Sequence, residues 1–322
     1  MKKITSEKDF LKLIDYHFPY ENGHVTLGRG DDCSIISTGG TVCLSKDLFL
    51  ENIHFRRSYF SPEDIGYKSL AVNISDIAAM GGTPKGFELG LIIPDNLEPD
   101  FLNAFLKGMA DLANEYNIIL AGGDLSRGPL LGISITIWGE PESGSELIKR
   151  GNAQPGDILF THGPVGLAYC GLHILESRPD DIKNFPECVR AHLHPEMRVH
   201  TAVKLAASKV VKGMMDISDG LARDLPRFLN ASGPYGADIK LSDTDIHPEI
   251  KKFAQLKNQL PHELAFIGGE DYALLAAASA DNFKKLKNSF KNLVEIGIVS
   301  RTPGIRLNGN SFNKAGFDHF SR

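Results

Sequence analysis

Hydrophobic positions recur with a helical period over SPEDIGYKSLAVNISDIAAMGGTPKG, Ser61 to Gly86. Ser61 can cap a helix whose first turn holds Pro62, Glu63 and Asp64, and Gly81-Gly82 followed by Pro84 ends it. The interval predicts a helix of about five turns at about 3.6 residues each. Leu70, Ile74, Ile77 and Ala78 form one apolar face, while Ala71, Val72, Ser75 and Ala79 keep most of the rest small or apolar, so this helix is expected to be buried nearly all round. Ser69, Asn73 and Asp76 fall at i, i+4 and i+7 along one edge. Asp76 is then a carboxylate on a mostly buried helix, where an unpaired charge costs on the order of several kcal/mol. A structural ion pair or cap explains it as well as a metal or catalytic role does.

The same patterning divides the remaining chain. Phe10, Leu11, Ile14 and Phe18 mark a short amphipathic helix over residues 7–18. Strand-like runs follow at Cys33 to Ile36 and Thr41 to Leu44, bracketed by Gly30-Asp31-Asp32 and Asp47. A strand over residues 88–93, a helix over 100–115 and a strand over 118–121 lead to Gly122-Gly123-Asp124, which places a third acid at a strand end. After a strand at 133–138, the polar run Glu140 to Ser145 is expected to separate a domain of residues 1–145 from one of 146–322. The second half reads as a strand at 158–161, the loop Gly163-Pro164-Val165-Gly166, a helix, and a helix over 199–211. MMDISDG around Asp216 and Asp219 then enters a helix at 221–229, a polar loop region follows, and Gly268-Gly269-Glu270-Asp271-Tyr272 precedes a strand at 273–278. A helix near 281–290 and a strand near 294–299 close the pattern. Strand, glycine loop and helix at 158–166 can cradle a phosphate on backbone N–H groups, but an ordinary tight turn is the simpler reading. Each half mixes strands and helices, which predicts an α+β or α/β class in both.

Composition narrows the function. A chain of 322 residues is long enough for two domains, and a net charge of -5 offers no basic patch for nucleic acid. The four cysteines, Cys33, Cys43, Cys170 and Cys188, show no CxxC spacing, which fits reduced thiols in a cytoplasmic protein. No apolar run suits a signal peptide or membrane span, so no membrane association is expected. Asp31, Asp47, Asp76, Asp124, Asp216 and Asp219 each lie beside an apolar strand or helix end, most with glycine adjacent. Acids without clustered His or Cys suit a hard cation, and Mg²⁺ takes a few carboxylates while keeping waters and substrate phosphates. There is no Walker A sequence, no protein-kinase motif set and no dinucleotide fingerprint after a strand.

Taken together, GDDCSII, SKDLFLENIHF, the Ser61–Pro84 stretch, AGGDLSRG, MMDISDGLARDL, GGEDYALL and GFDHF resemble the thiamine-monophosphate kinase family over nearly the whole chain. That family belongs to an ATP-using superfamily with aminoimidazole ribonucleotide synthetase, selenophosphate synthetase and a hydrogenase maturation factor. The resemblance implies an N-terminal α/β domain that pairs in a homodimer, and a C-terminal α+β domain that completes the active-site cleft. It implies that Asp31, Asp47, Asp76, Asp124, Asp216 and Asp219, assisted by Ser45, hold Mg²⁺. Gly123, Asp124, Arg150 and Ser218 would contact ATP as co-substrate, while His54, Glu270 and Phe317 would contact thiamine monophosphate. His192-Leu193-His194 lacks matching partners and is expected to be structural.

Four sites depart from the family pattern, one of them Gly151-Asn152 where Ser-Gly is usual after Arg150. Lys46 stands where a threonine is usual, Asn52 where a glycine is usual and Leu125 where a threonine is usual. A Lys46 ammonium aimed at the acids would oppose a bound Mg²⁺. Alternative readings are another superfamily enzyme that activates an amide, carbamoyl or selenide group, or a catalytically weak nucleotide-binding protein.

Overall fold

The computed structural model describes residues 7–19, 25–27, 29 and 33–313. Asp31 and Phe317 lie outside the described residues. The chain forms two compact units, one of residues 1–77 and 82–141, the other of residues 78–81 and 142–322.

The first unit holds α1 (Glu7–His17), β1 (Val25–Leu27), β2 (Ile35–Ile36), β3 (Cys43–Leu50), α2 (Pro62–Ala79), β4 (Thr83–Ile93), α3 (Pro99–Glu115), β5 (Ile119–Arg127) and β6 (Gly132–Glu140). Its main sheet has the order β3-β6-β4-β5, with β4 and β5 parallel and the other pairs antiparallel. α2 starts as its sequence predicts. Ser61 Oγ accepts from the Asp64 N–H and Asp64 returns the bond to the Ser61 N–H, both at 3.1 Å, a reciprocal cap worth about 1 kcal/mol. Leu70, Ala71 and Ile74 are fully buried, and Ser69 and Asn73 are buried with them. Successive strand residues point to opposite faces, so Phe87, Leu89, Leu91, Ile133, Ile135 and Ile137 line one buried face. That face meets α2, as the contacts of Ser45 with Asp76 and Asp47 with Asn73 show. α2 and α3 cross with almost no spacing. A Cβ on Gly66 would lie 1.9 Å from Phe105 O, and one on Gly108 would lie 2.1 Å from Glu63 O.

The second unit begins with β7 (Ile158–His162), α4 (Leu167–Ser177), α5 (Pro186–Leu193), α6 (Val199–Ala207), β8 (Gly213–Ile217) and α7 (Leu221–Asn230). It continues with β9 (Gly236–Ile239), α8 (Pro248–Lys257), α9 (Pro261–Ile267), β10 (Ala273–Ala278), α10 (Ala280–Ser289), β11 (Leu293–Ser300), β12 (Gly304–Leu307) and β13 (Asn310–Ser311). The sheet order is β13-β12-β9-β11-β7-β10-β8. Leu159, Met215, Ile217, Leu275 and Ile296 join Ile174, Phe185, Leu225, Phe228 and Phe253 of the helices in one core. Phe160 on the opposite face packs against Phe283 of α10, with ring centroids 5.1 Å apart. Both units mix strands and helices as the pattern predicts, and the two-domain α/β plus α+β arrangement is the one the resemblance implies. The expected loop region after residue 230 contains β9, α8 and α9.

Candidate functional site

Three of the predicted residues meet in the first unit. The Ser45 hydroxyl donates to Asp76 Oδ2, and the Asp47 N–H donates to Asn73 Oδ1 at 3.2 Å. Ser45 and Asp47 share one face of β3, one turn of α2 supplies Asn73 and Asp76, and the carboxylates become neighbours. Burial, and then the nearby Asp76 charge, push the Asp47 carboxyl up to about 6. Two acids that oppose each other's ionisation, beside a hydroxyl, form a set that a divalent cation relieves. Mg²⁺ commonly takes only one or two carboxylates and leaves its other positions to water and phosphate, so this set fits it. Among the described residues no group of three or more His, Cys, Asp and Glu side chains is close enough to hold a metal.

Asp124 lies elsewhere. β5 does not stop at Ala121 but runs through both glycines to Arg127, so Asp124 sits inside a strand rather than at its end. Gly123 (φ 154) permits the close pairing with β4, where a Cβ would lie 2.0 Å from Leu89 O. Asp124 pairs with Gly90, and Gly90 with Ser134, on the sheet face away from α2. Lys46, Thr136, Glu88 and Gly122 make the adjoining row on that face. An open concavity of about 670 Å³ is lined by Lys46, Glu88, Gly123, Asp124, Ser134 and Arg29, among others. Arg29 is held there by donation to Leu120 O at 2.6 Å. Lys46 therefore points away from Asp47 and Asp76 and does not oppose a cation between them. His54 follows β3 in a tight turn, where its Nδ1 accepts from the Leu50 N–H at 3.0 Å and its ring stacks on Phe49.

In the second unit, Asp216 is buried near the end of β8 on the face opposite Met215 and Ile217. Two loops close around that end. The Glu270 N–H donates to Ser218 O at 2.7 Å and the Tyr272 N–H to Ile217 O at 3.0 Å. Gly220 (φ 91) and Gly269 are required by this approach, since their Cβ atoms would lie 2.6 Å from Ile267 O and Ser218 O respectively. Arg150 is exposed, and the Lys149 carbonyl before it accepts from Met214 of β8 at 3.2 Å. Asp219 is committed to arginine, with Arg227 at 2.7 Å and Arg223 at 3.6 Å. Burial raises the neighbouring Asp224 carboxyl to about 6.

Two residues carry roles the sequence did not suggest. Asp271, fully enclosed, accepts from the backbone N–H groups of Gly166 and Ala168 at the start of α4. An internal carboxylate thus fills the helix N-terminus that a phosphate would need, which makes the 163–166 loop an ordinary turn. The Asp after Glu270 in GGED was the available signal. His192 is buried beneath Glu270, with Nδ1 3.0 Å from Oε2.

Residues 30–140 match the N-terminal domain of AIR synthase related proteins, and residues 154–310 match the C-terminal domain. A thiamine-monophosphate kinase from Buchnera aphidicola subsp. Schizaphis graminum is 34% identical over 91% of this chain and 92% of its own. The crystal structure of thiamine monophosphate kinase from Aquifex aeolicus superposes with a TM-score of 0.75 at 30% identity, covering 87% of this chain and 91% of that one. A structure of AaThiL complexed with AMPPCP and TMP superposes with a TM-score of 0.77 at 28% identity, over 99% of this chain and all of that one (100%). Within the AIR synthase related class, the chain belongs to the thiamine-monophosphate kinase family.

Proposed function

We propose that this chain uses ATP to phosphorylate thiamine monophosphate, giving thiamine diphosphate and ADP. Family membership supports the choice of acceptor, as does a related structure holding AMPPCP with TMP. The observation that carries the phosphoryl chemistry is the Asp47–Asp76 pair at Ser45. A phosphate monoester has a second pKa near 6, so its attacking oxygen is already anionic at neutral pH and no strong general base is needed. The barrier is the repulsion between two polyanions. Mg²⁺, when bound, supplies screening and stabilises charge on the transferring group.

In this reading Asp31, Ser45, Asp47, Asp76, Asp124, Asp216 and Asp219 hold metal, and direct in-line transfer follows without a phosphoenzyme. Asp219 joins that set only if Arg227 and Arg223 release it. Gly123, Asp124, Arg150 and Ser218 bind the nucleotide, while His54, Glu270 and Phe317 bind the acceptor. A carboxylate at Glu270 suits the cationic thiazolium or the amine of the acceptor, and Phe317 suits stacking on the ring. Residues 1–145 are assigned metal, nucleotide and pairing functions, and residues 146–322 complete the site with Asp216 and Asp219 for metal, Arg150 and Ser218 for the nucleotide, and Glu270 and Phe317 for the acceptor. A homodimer in the cytoplasm is part of the same reading. No helix among the described residues is long and apolar enough to cross a membrane.

The test is an ADP-release assay with ATP and Mg²⁺, offering thiamine monophosphate, free thiamine or no acceptor, with the product identified by mass. Thiamine diphosphate formed only from the monophosphate, and lost on adding EDTA, is the expected result. ATP turnover that ignores the monophosphate would overturn the reading in favour of amide, carbamoyl or selenide activation. Binding of both ligands without turnover would favour a binding protein.

A further inference from the structure

We propose that His192 is a positioning residue: it orients the Glu270 carboxylate for the ring end of thiamine monophosphate and so sets affinity for that substrate alone. The proposal rests on the reading of Glu270 as a substrate contact. His192 is 1% exposed and Glu270 29% exposed, with Nδ1 and Oε2 3.0 Å apart, so a sealed imidazole reaches a carboxylate that emerges at the surface. The helices are built to deliver it. A Cβ on Gly171 would lie 2.0 Å from Cys188 O and 3.0 Å from the His192 Cβ, so glycine lets α5 approach α4 and fixes His192 in the last turn of α5.

Glu270 is itself held in a conformation that a free loop would abandon. Its φ of 65 lies in the left-handed region, and Tyr272 at φ 49 does too. Each such non-glycine residue costs on the order of 1 kcal/mol and persists only where surrounding contacts over-determine it. Those contacts are visible: the Glu270 N–H on Ser218 O, the Tyr272 N–H on Ile217 O, and Asp271 turned inward onto the amides of Gly166 and Ala168. The backbone is pinned on both sides, and the His192 contact restricts the torsions of the side chain. Anchoring Oε2 fixes the direction of Oε1. A carboxylate fixed before binding does not lose that freedom on binding, which is the advantage of preorganisation.

The test is steady-state kinetics of the full chain with His192→Leu and His192→Asn, side chains of nearly equal shape of which only asparagine can place an N–H near the Nδ1 position. His192→Leu is expected to raise KM for thiamine monophosphate about tenfold, the equivalent of one charge-assisted hydrogen bond. KM for ATP and kcat should stay within about twofold, and His192→Asn should recover most of the loss. Glu270→Gln should raise the same KM, and adding His192→Leu to it should change little more. Should His192→Leu not fold, His192→Gln replaces it, since its amide mimics Nε2 and misses Nδ1. A folded His192→Leu with unchanged KM for thiamine monophosphate, an equal rise for ATP, or no recovery with asparagine would overturn the proposal. If Glu270→Gln leaves that KM unchanged, the substrate reading of Glu270 falls and the proposal with it. If only Glu270→Gln raises it, the positioning role alone falls.

Discussion

Asp76 shows how a single side chain acquires a task from its surroundings. A carboxylate on a helix buried almost all round accepts from the Ser45 hydroxyl, and its charge adds to burial in pushing the Asp47 carboxyl up to about 6. Asp76→Asn keeps the shape and removes the charge. It should leave the thermal melt near that of the native chain while reducing turnover by at least about 100-fold, in line with loss of a charge acting on the transferring group. A folded variant with the native rate would remove Asp76 from the site. Asp271 makes a different prediction. Burial outweighs the backbone donors of Ala168, Gly166 and Leu167 at the start of α4, so its carboxyl rises from 3.8 to about 7. As pH rises, the unfolded chain loses this proton first, so stability falls between about pH 4 and about pH 7 and then levels. The slope is about 1.4 kcal/mol per pH unit for one proton. Urea unfolding across that range should give a flatter curve for Asp271→Asn. An unchanged slope would show that the folded chain ionises this carboxyl at its ordinary value. Asp76 was legible in the sequence because i, i+4 and i+7 spacing places it on one edge of the helix. The pairing of Glu270 with His192 was not, since contacts between distant segments leave no period in the chain.

At the scale of elements, local signals succeeded where the chain supplies both a start and a stop. Ser61, Pro62 and Asp64 at one end, with Gly81-Gly82 at the other, bracket α2, and the reciprocal cap follows. Strand lengths were less legible, because two glycines and a polar residue interrupt the apolar run at β5 while the ladder to β4 continues to Arg127. That extension turns Asp124 toward the Lys46 face. Alternation along β3 likewise settles Lys46, which stands between two residues of the α2 face and so must point the other way. α8 and α9 escaped notice because they are short and depend on the shared core for their stability. The crossing of α2 and α3 gives a test of packing. Gly66→Ala and Gly108→Ala each place a methyl about 2 Å from a backbone carbonyl, and backbone cannot move aside as a side chain can. Each should destabilise by about 3 kcal/mol or more, at the upper end for overpacking, despite alanine's better helix propensity. Calorimetry showing either variant at or above native stability would mean that the two helices separate easily.

For the whole molecule, the sheet face away from α2 is where the proposed pairing can be tested. Leu44 is 69% exposed, Leu48 54% and Ile92 43%, on the same face as Lys46, Thr136 and Asp124. A sheet normally covers its apolar side, and this one already buries Phe87, Leu89, Ile135 and Ile137 on the other. A row of exposed leucines around polar residues is therefore the surface expected to pair with a second copy, and an isologous pairing brings each leucine near its own counterpart across a two-fold axis. Charges placed there would repel across that axis while leaving the monomer's core untouched. Leu44→Glu with Leu48→Glu should convert a dimer to a monomer in light scattering, with the circular dichroism spectrum unchanged. If the native chain is a monomer at micromolar concentration, the pairing assignment fails outright. A dimer that survives both substitutions would place the contact on another face.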